Sequence, residues 1–241
     1  IAYTAETDVD ISILDSDSTV DVTATTGEIT DNLSAGTEDA NIFGTTVTLS
    51  AATGIGSSDD IDTNITTLDA TNSGSGNIQI NEVEAGGDID LTNVSQTSGG
   101  DAGTIVVTTE DGTITVLSTG TGVTTAGTGT IDLDANSTGS DADVVVDEVV
   151  TSTTGTITID AADTIWNTAV ISATGAGVID LNAADNVDQD ADITSVGGNI
   201  TVDADTTDIN MADGTTTDSG AGTIAYTAET DVDISILDSD S

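Results

Sequence analysis

The chain has 241 residues, of which 44 are Asp or Glu and none is Lys, Arg or His, giving a formal net charge of −44. With no cationic side chain, internal salt bridges cannot form and a phosphate backbone cannot be neutralised, which excludes nucleic acid as a direct partner. Cys and Pro are also absent, so there is no disulfide framework or thiolate site, and no strand lacks a backbone donor.

The first 18 residues, IAYTAETDVDISILDSDS, recur letter for letter at 224–241. Self-similarity at a fixed period is the signature of a repeat architecture. The sequence therefore predicts one complete repeat at 1–223 and the start of the next identical repeat at 224–241, a window on a longer periodic molecule. No apolar run approaches the roughly 18 residues of a membrane span, and no signal segment appears in this window.

Along the chain a short phrase returns: a turn residue, usually Gly, a variable residue, then two apolar residues separated by one. Its anchors are read at Ile1, Val20, Val47, Ile78, Ile105, Ile131, Ile157, Ile179, Ile200 and Ile224, nine steps of 19 to 31 residues. Between most anchors lies a second alternating run, as in Val9-Asp10-Ile11, Ile89-Asp90-Leu91, Ile114-Thr115-Val116 and Ile209-Asn210-Met211. Alternation of period two, rich in Ile, Val and Thr, marks strands with one buried face. Two or three such strands per turn, with Gly, Asn, Asp and Ser at the corners, describe an all-β protein: a β-solenoid of about nine coils of roughly 25 residues per repeat. The expected core is a column of stacked aliphatic residues: Ile78, Ile80, Ile105, Ile131, Leu133, Ile157, Ile159, Ile179, Leu181, Ile200 and Val202.

The phrases GTITIDAADTI (155–165), GAGVIDLNAADNV (175–187) and GGNITVDADTTDI (197–209) resemble the repeats of filamentous-haemagglutinin-like surface proteins. The resemblance implies a right-handed parallel β-helix, secreted to the cell surface and working as a long fibre. The six-residue rhythm of the left-handed hexapeptide helix is not visible.

The charge has a scale. Removing the five acids duplicated in 224–241 leaves 39 per repeat, and nine coils rising ~4.8 Å each span ~43 Å, or about one charge per 1.1 Å. Duplex DNA carries one per about 1.7 Å, so such a rod must condense cations. The densest local group is Asp185, Asp188, Asp190 and Asp192 with Asp203, Asp205 and Asp208 one coil later. Rich in oxygen and free of His and Cys, it suits Ca²⁺ or Mg²⁺ rather than zinc or copper. Neither an EF-hand nor a GGxGxDxUx calcium roll is present, and diffuse counterion binding is the competing reading. Asp8, Asp10, Asp15 and Asp17 form a second candidate.

Sequons begin at Asn32, Asn64, Asn93, Asn136 and Asn199. Tyr3, Phe43 and Trp166 are expected to pack at coil corners. Thr46/Thr48, Thr113/Thr115 and Thr156/Thr158 are the Thr-x-Thr pairs an ice-binding face would use, but other anchors interrupt them. Carboxylate pairs of the kind a polysaccharide-cleaving enzyme needs are plentiful, yet no basic or imidazole group accompanies them, so no enzyme is expected. The remaining expectation is a structural, adhesive or cation-binding component of an extracellular filament or sheath at the cell surface. Its partners are further copies of the same repeat, neighbouring filaments bridged by divalent cations, and the cell surface or matrix.

Overall fold

A computed structural model describes residues 1–33, 39–84, 87–98, 103–137 and 142–240. These contain no helix, and all their strand pairings are parallel, stacked as a β-solenoid of about ten turns some 23 residues apart. Ten strands form one sheet: Leu14–Asp15, Ile42–Phe43, Ile61–Asn64, Ile78–Glu82, Ile105–Thr109, Ile131–Ala135, Ile157–Ala161, Ile179–Ala183, Ile200–Ala204 and Ile224–Ala228. We call its outer surface the aspartate face.

The opposing sheet begins as one strand per coil, at Ala2–Ala5, Thr19–Ala24, Thr46–Ala51 and Thr67–Asn72. Its next strand, Ile89–Gln96, carries an irregularity between Leu91 and Asn93. A bulge bends a strand, and beyond this one every coil crosses the sheet as two short strands. Ile114–Val116, Val144–Val146, Ile165–Asn167, Val187–Gln189 and Ile209–Met211 stack on its first half. Gly122–Thr125, Val150–Ser152, Ile171–Ala173, Ile193–Ser195 and Thr216–Asp218 stack on its second half, whose outer surface we call the hydroxyl face.

Alternation dictates the core. Ile78, Ile105, Ile131, Ile157, Ile179, Ile200 and Ile224 stack one above another. Beside them run Ile80, Val107, Leu133, Ile159, Leu181, Val202 and Tyr226. All eleven core residues expected from the sequence are buried, each contributing about 1.5–3 kcal/mol. A glycine column closes one corner: a Cβ on Gly155 would sit 1.8 Å from the Gly129 carbonyl oxygen, and one on Gly198 1.9 Å from that of Gly177. Only glycine lets consecutive coils approach this closely.

The anchor series read from sequence joins two different columns. Val20 stacks on Val47, then on Leu68 and Leu91, within the opposing sheet. The coil partners of Ile78 are instead Ile55 and Ile29, and below Ile29 lies Val9. The series therefore changes sheet between Val47 and Ile78, where its step is longest. Two apolar runs of similar spacing in every coil make the columns interchangeable in one dimension.

The duplicated segment shows the same ambiguity in space. Ala2–Ala5 belongs to the opposing sheet, whereas the identical run within Ile224–Ala228 belongs to the ten-stranded sheet. Val9–Ile11 pairs on the ten-stranded side, while its duplicate Val232–Asp233 pairs with Ile209–Met211 across the solenoid.

Candidate functional site

Among the described residues nearly all the carboxylates lie on the outside of the coils, and this outer surface is the candidate site. On the aspartate face one outward row reads Asn81, Thr108, Asp134, Asp160, Asn182, Asp203, Thr227, and the next reads Gln79, Val106, Asp132, Thr158, Asp180, Thr201, Ala225. Consecutive positions in a row are ~4.8 Å apart. Partial burial raises the carboxyl pKa of Asp132, with Asp160 and Asp134 adding repulsion. Asp134 is raised by burial and by Asp160 against a lowering hydrogen bond with Asn136, and Asp180 by burial and then Asp160 and Asp203. Asn182 relieves part of this crowding by donating its side-chain N–H to Asp160 Oδ1 at 2.7 Å. At the edge of the face a shallow groove of about 210 Å³ is lined by Asp134, Asp160, Asn182 and Asp205 over Ala161 and Ala183.

The seven acids singled out for Ca²⁺ are spread around the coil. Asp203 lies on the aspartate face, Asp185 and Asp205 at its edge, and Asp188 on the outward side of Val187–Gln189. Asp190 and Asp192 precede Ile193–Ser195, and Asp208 precedes Ile209–Met211. Several act as steps to the coil above. Asp185 Oδ1 accepts from Thr206 Oγ1 at 2.9 Å, Asp188 Oδ1 from the Asn210 amide at 2.9 Å, and Asp192 Oδ1 from the backbone N–H of Thr216 at 2.7 Å. Asp208 Oδ1 accepts from the N–H of Asp231. Among the described residues no group of three or more acids is placed to hold a metal ion. In the second group, Asp8 Oδ1 accepts from the Glu28 N–H and Asp10 Oδ1 from Thr30 Oγ1 at 2.6 Å. Side-chain oxygens just ahead of a strand recur in this coil-to-coil role at Asp88, Asp143 and Asn199.

One carboxyl points inward. Glu82 is sealed from solvent and accepts hydrogen bonds from Thr63 Oγ1 at 2.8 Å and the Ile65 N–H at 3.0 Å. Burial pushes its pKa up to about 7, against those hydrogen bonds and with a smaller push from Glu84. The inward register it occupies is filled by Ala135, Ala161, Ala183 and Ala204 in later coils.

The hydroxyl face carries a feature that sequence reading missed. Thr4, Thr23, Ser50, Thr71, Ser95, Thr124, Thr151, Ser172 and Thr194 form one outward row, in register through nine coils. Thr194 Oγ1 donates to Ser172 Oγ at 2.9 Å and Thr124 Oγ1 to Ser95 Oγ at 3.2 Å. By contrast the Thr-x-Thr pairs noticed in sequence are split between two sheets: Thr46 and Thr115 share an outward row of the opposing sheet, interrupted by Asp90, while Thr158 lies on the aspartate face. The signal for the true ladder was a Ser or Thr directly after an inward residue of each opposing-sheet strand, hidden by variable coil length.

Of the three aromatic residues expected at coil corners, Phe43 lies at one and Trp166 does not. Trp166 stands on the outward side of Ile165–Asn167, 41% exposed, between Val145 and Asp188 of the adjacent coils. Tyr3 lies over Val22 in the first coil with nothing above it and is 54% exposed. Phe43 is partly buried in Ile42–Phe43, next to the corner at Gly44. Comparison of the chain with family models, with curated proteins and with solved structures returns no match.

Proposed function

We propose that this β-solenoid is a structural segment of a secreted filament at the cell surface, of the kind the filamentous-haemagglutinin-like resemblance implies. The observation that carries this reading is the unbroken register: from Ile78 to Ile224 the same inward positions stack through seven coils of one continuous sheet. Stability in such a fold is a sum of nearest-neighbour terms, so length can grow without a new core. The absence of Lys and Arg leaves no trypsin-type cleavage site, which suits a protease-rich exterior.

A second reading, cation binding by an extracellular sheath, is favoured by the raised carboxyl pKa values of Asp132, Asp134 and Asp180. Crowded carboxylates one coil apart gain from any counterion, and Ca²⁺ can span two of them. Electron microscopy of chains with two, four and six copies of the 223-residue repeat tests the fibre reading. Rod length should grow by about 45 Å per repeat, from nine to ten coils at the inter-strand spacing. Compact particles whose length does not scale with copy number would overturn it. Melting in matched ionic strength of Na⁺ or Ca²⁺ tests the second reading, which requires a larger gain with Ca²⁺.

A further inference from the structure

The charge of −44 is not spread evenly around the solenoid. Segments 70–81, 91–98, 103–109, 112–131, 149–159, 164–179 and 193–202 contain no Asp or Glu. With the last part of Ile89–Gln96 included, they cover the hydroxyl-face strands from Gly122–Thr125 to Ile193–Ser195, the glycine corner, and the first residues of the strands from Ile78–Glu82 to Ile200–Ala204. Folding gathers them into one continuous uncharged band. Its first row is the hydroxyl ladder. Its second is Ser73, Thr97, Ala126, Thr153, Thr174 and Val196, several of whose amides donate to carbonyls of the coil below. The carboxylates of the same coils lie outside this band.

An independent feature falls on the same band. Outside the first and last coils, the exposed large apolar residues among those described are Val170, Val178, Val196 and Trp166. The valines sit in the band on two successive coils, Val170 and Val178 on one and Val196, 67% exposed, on the next, and Trp166 is on the adjoining surface. Thr methyl groups extend this apolar character along the ladder. The ladder's own side chains are all short, Ser or Thr.

We propose that the hydroxyl face is a side-by-side docking surface for a second copy of this chain. Charge selects the occupant and its orientation. Two such polyanions repel wherever carboxylates meet, and with no basic residue available they can approach closely only band to band. Identical ~4.8 Å spacing on both partners lets hydroxyl rows and valines interdigitate in register. The size sets the strength. Five inter-coil steps, from Thr71 to Thr194, span ~24 Å, and a width of ~15 Å gives roughly 360 Å² per partner, under half of the about 800 Å² of a standard interface. One repeat therefore pairs weakly, and repeats in series pair strongly through effective concentration. This surface is separate from axial stacking, so loss of pairing leaves rod length unchanged.

Sedimentation of the 241-residue chain in physiological salt with EDTA tests the proposal. A concentration-dependent dimer is expected. Thr124→Asp, Thr151→Asp and Thr194→Asp together should weaken it at least tenfold. Asn182→Asp, Thr206→Asp and Thr227→Asp add the same charge on the aspartate face and its edge, outside the band, and should change it less than threefold. Replacing Val170, Val178 and Val196 by Ser, which adds no charge, should also weaken it several-fold, and decides the matter if circular dichroism shows the Asp variant misfolded. A monomer at every concentration, dissociation caused by EDTA, or equal effects of the two Asp sets would overturn the proposal. So would a chain that stays monomeric but adsorbs through this face to ice or to an insoluble polysaccharide.

Discussion

Residues 1–18 and 224–241 are the same sequence in two places, and the solenoid treats them differently. In both copies the inward residues stay inward: Tyr3 lies over Val22 and Tyr226 over Val202, while Val9 and Val232 stack on Ile29 and Ile209. The sheet that receives them is exchanged. Local alternation thus settles which side of a strand is buried, and the neighbouring coil settles which face the strand joins. Every face offers the same ~4.8 Å backbone ladder and an aliphatic column, so a well-patterned strand fits any of them. The early copy pairs only with the coil after it and the late copy only with the coil before it. In a chain of two consecutive repeats the middle copy should hold both sets of partners at once, with the ten-stranded sheet continuing into the opposing sheet of the next repeat. Cross-linking of Cys pairs at Thr201/Ala225 and at Ala225 with the next-repeat counterpart of Asp21 should succeed in the same molecule.

The largest effect should come from breaking the column under the late copy. Val202→Asp places an unpaired charge beneath Tyr226 and should cost on the order of 4 kcal/mol, with hydrogen-exchange protection lost across Ile224–Ala228. Thr201→Asp, one residue away on the outward side, should leave that protection intact.

Glu82 sharpens the point about register, because it puts a carboxyl where later coils put Ala. With its folded pKa raised from 4.5 to about 7, its contribution to stability is fully present below about pH 4.5 and is lost as pH rises through 7. A shift of that size is worth roughly 3 kcal/mol. Glu82→Gln keeps an acceptor for Thr63 and Ile65, so it should be more stable than the parent at pH 8 and lose that advantage near pH 4, measured as the difference between their denaturation midpoints.

Adjacent glycines provide the next contrast. A Cβ on Gly198 would lie 1.9 Å from the Gly177 carbonyl oxygen, whereas on Gly197 it meets only Ala176 Cβ at 3.8 Å. Gly198→Ala should cost about 1–3 kcal/mol, and Gly197→Ala should leave the melting temperature unchanged.

The smallest effect compares the duplicated tyrosines directly. Tyr226 reaches across the interior to donate to Gln189 Oε1 at 2.5 Å and meets Thr217 Oγ1 at 2.6 Å, and burial pushes its phenol up to about 12. Tyr226→Phe should cost about 1 kcal/mol, while Tyr3→Phe should be silent.

Much of this fold was readable in one dimension. The alternation around Ile78, Ile105, Ile131, Ile157, Ile179 and Ile200 identified strands, inward side and stacking partners correctly, because those coils share a glycine corner that fixes the phase. The same phrase at Ile1, Val20 and Val47 misled, since it sits on the opposing sheet with equal periodicity. Surface chemistry was less legible. The acids from Asp185 to Asp208 are close in sequence yet diverge around the coil, and the hydroxyl ladder is continuous in space although its members lie 19 to 29 residues apart. A row on a solenoid is set by coil length as well as pattern, and coil length varies most at the corners.

Parallel stacking also has a mechanical meaning. The hydrogen bonds between coils run along the axis of the rod, so tension along that axis loads them directly, one coil boundary after another. Because each coil touches only its neighbours, an end coil can peel away while the next stays closed. The turn from Ile200 to Ile224 holds 24 residues, ~80 Å when drawn straight, against a rise of ~4.8 Å when folded. Each peeled coil therefore lengthens the molecule about sixteenfold over its folded rise. Under a steady pull the rod behaves as a tether that yields in steps, and relaxation lets each step rewind onto the intact coil beneath it.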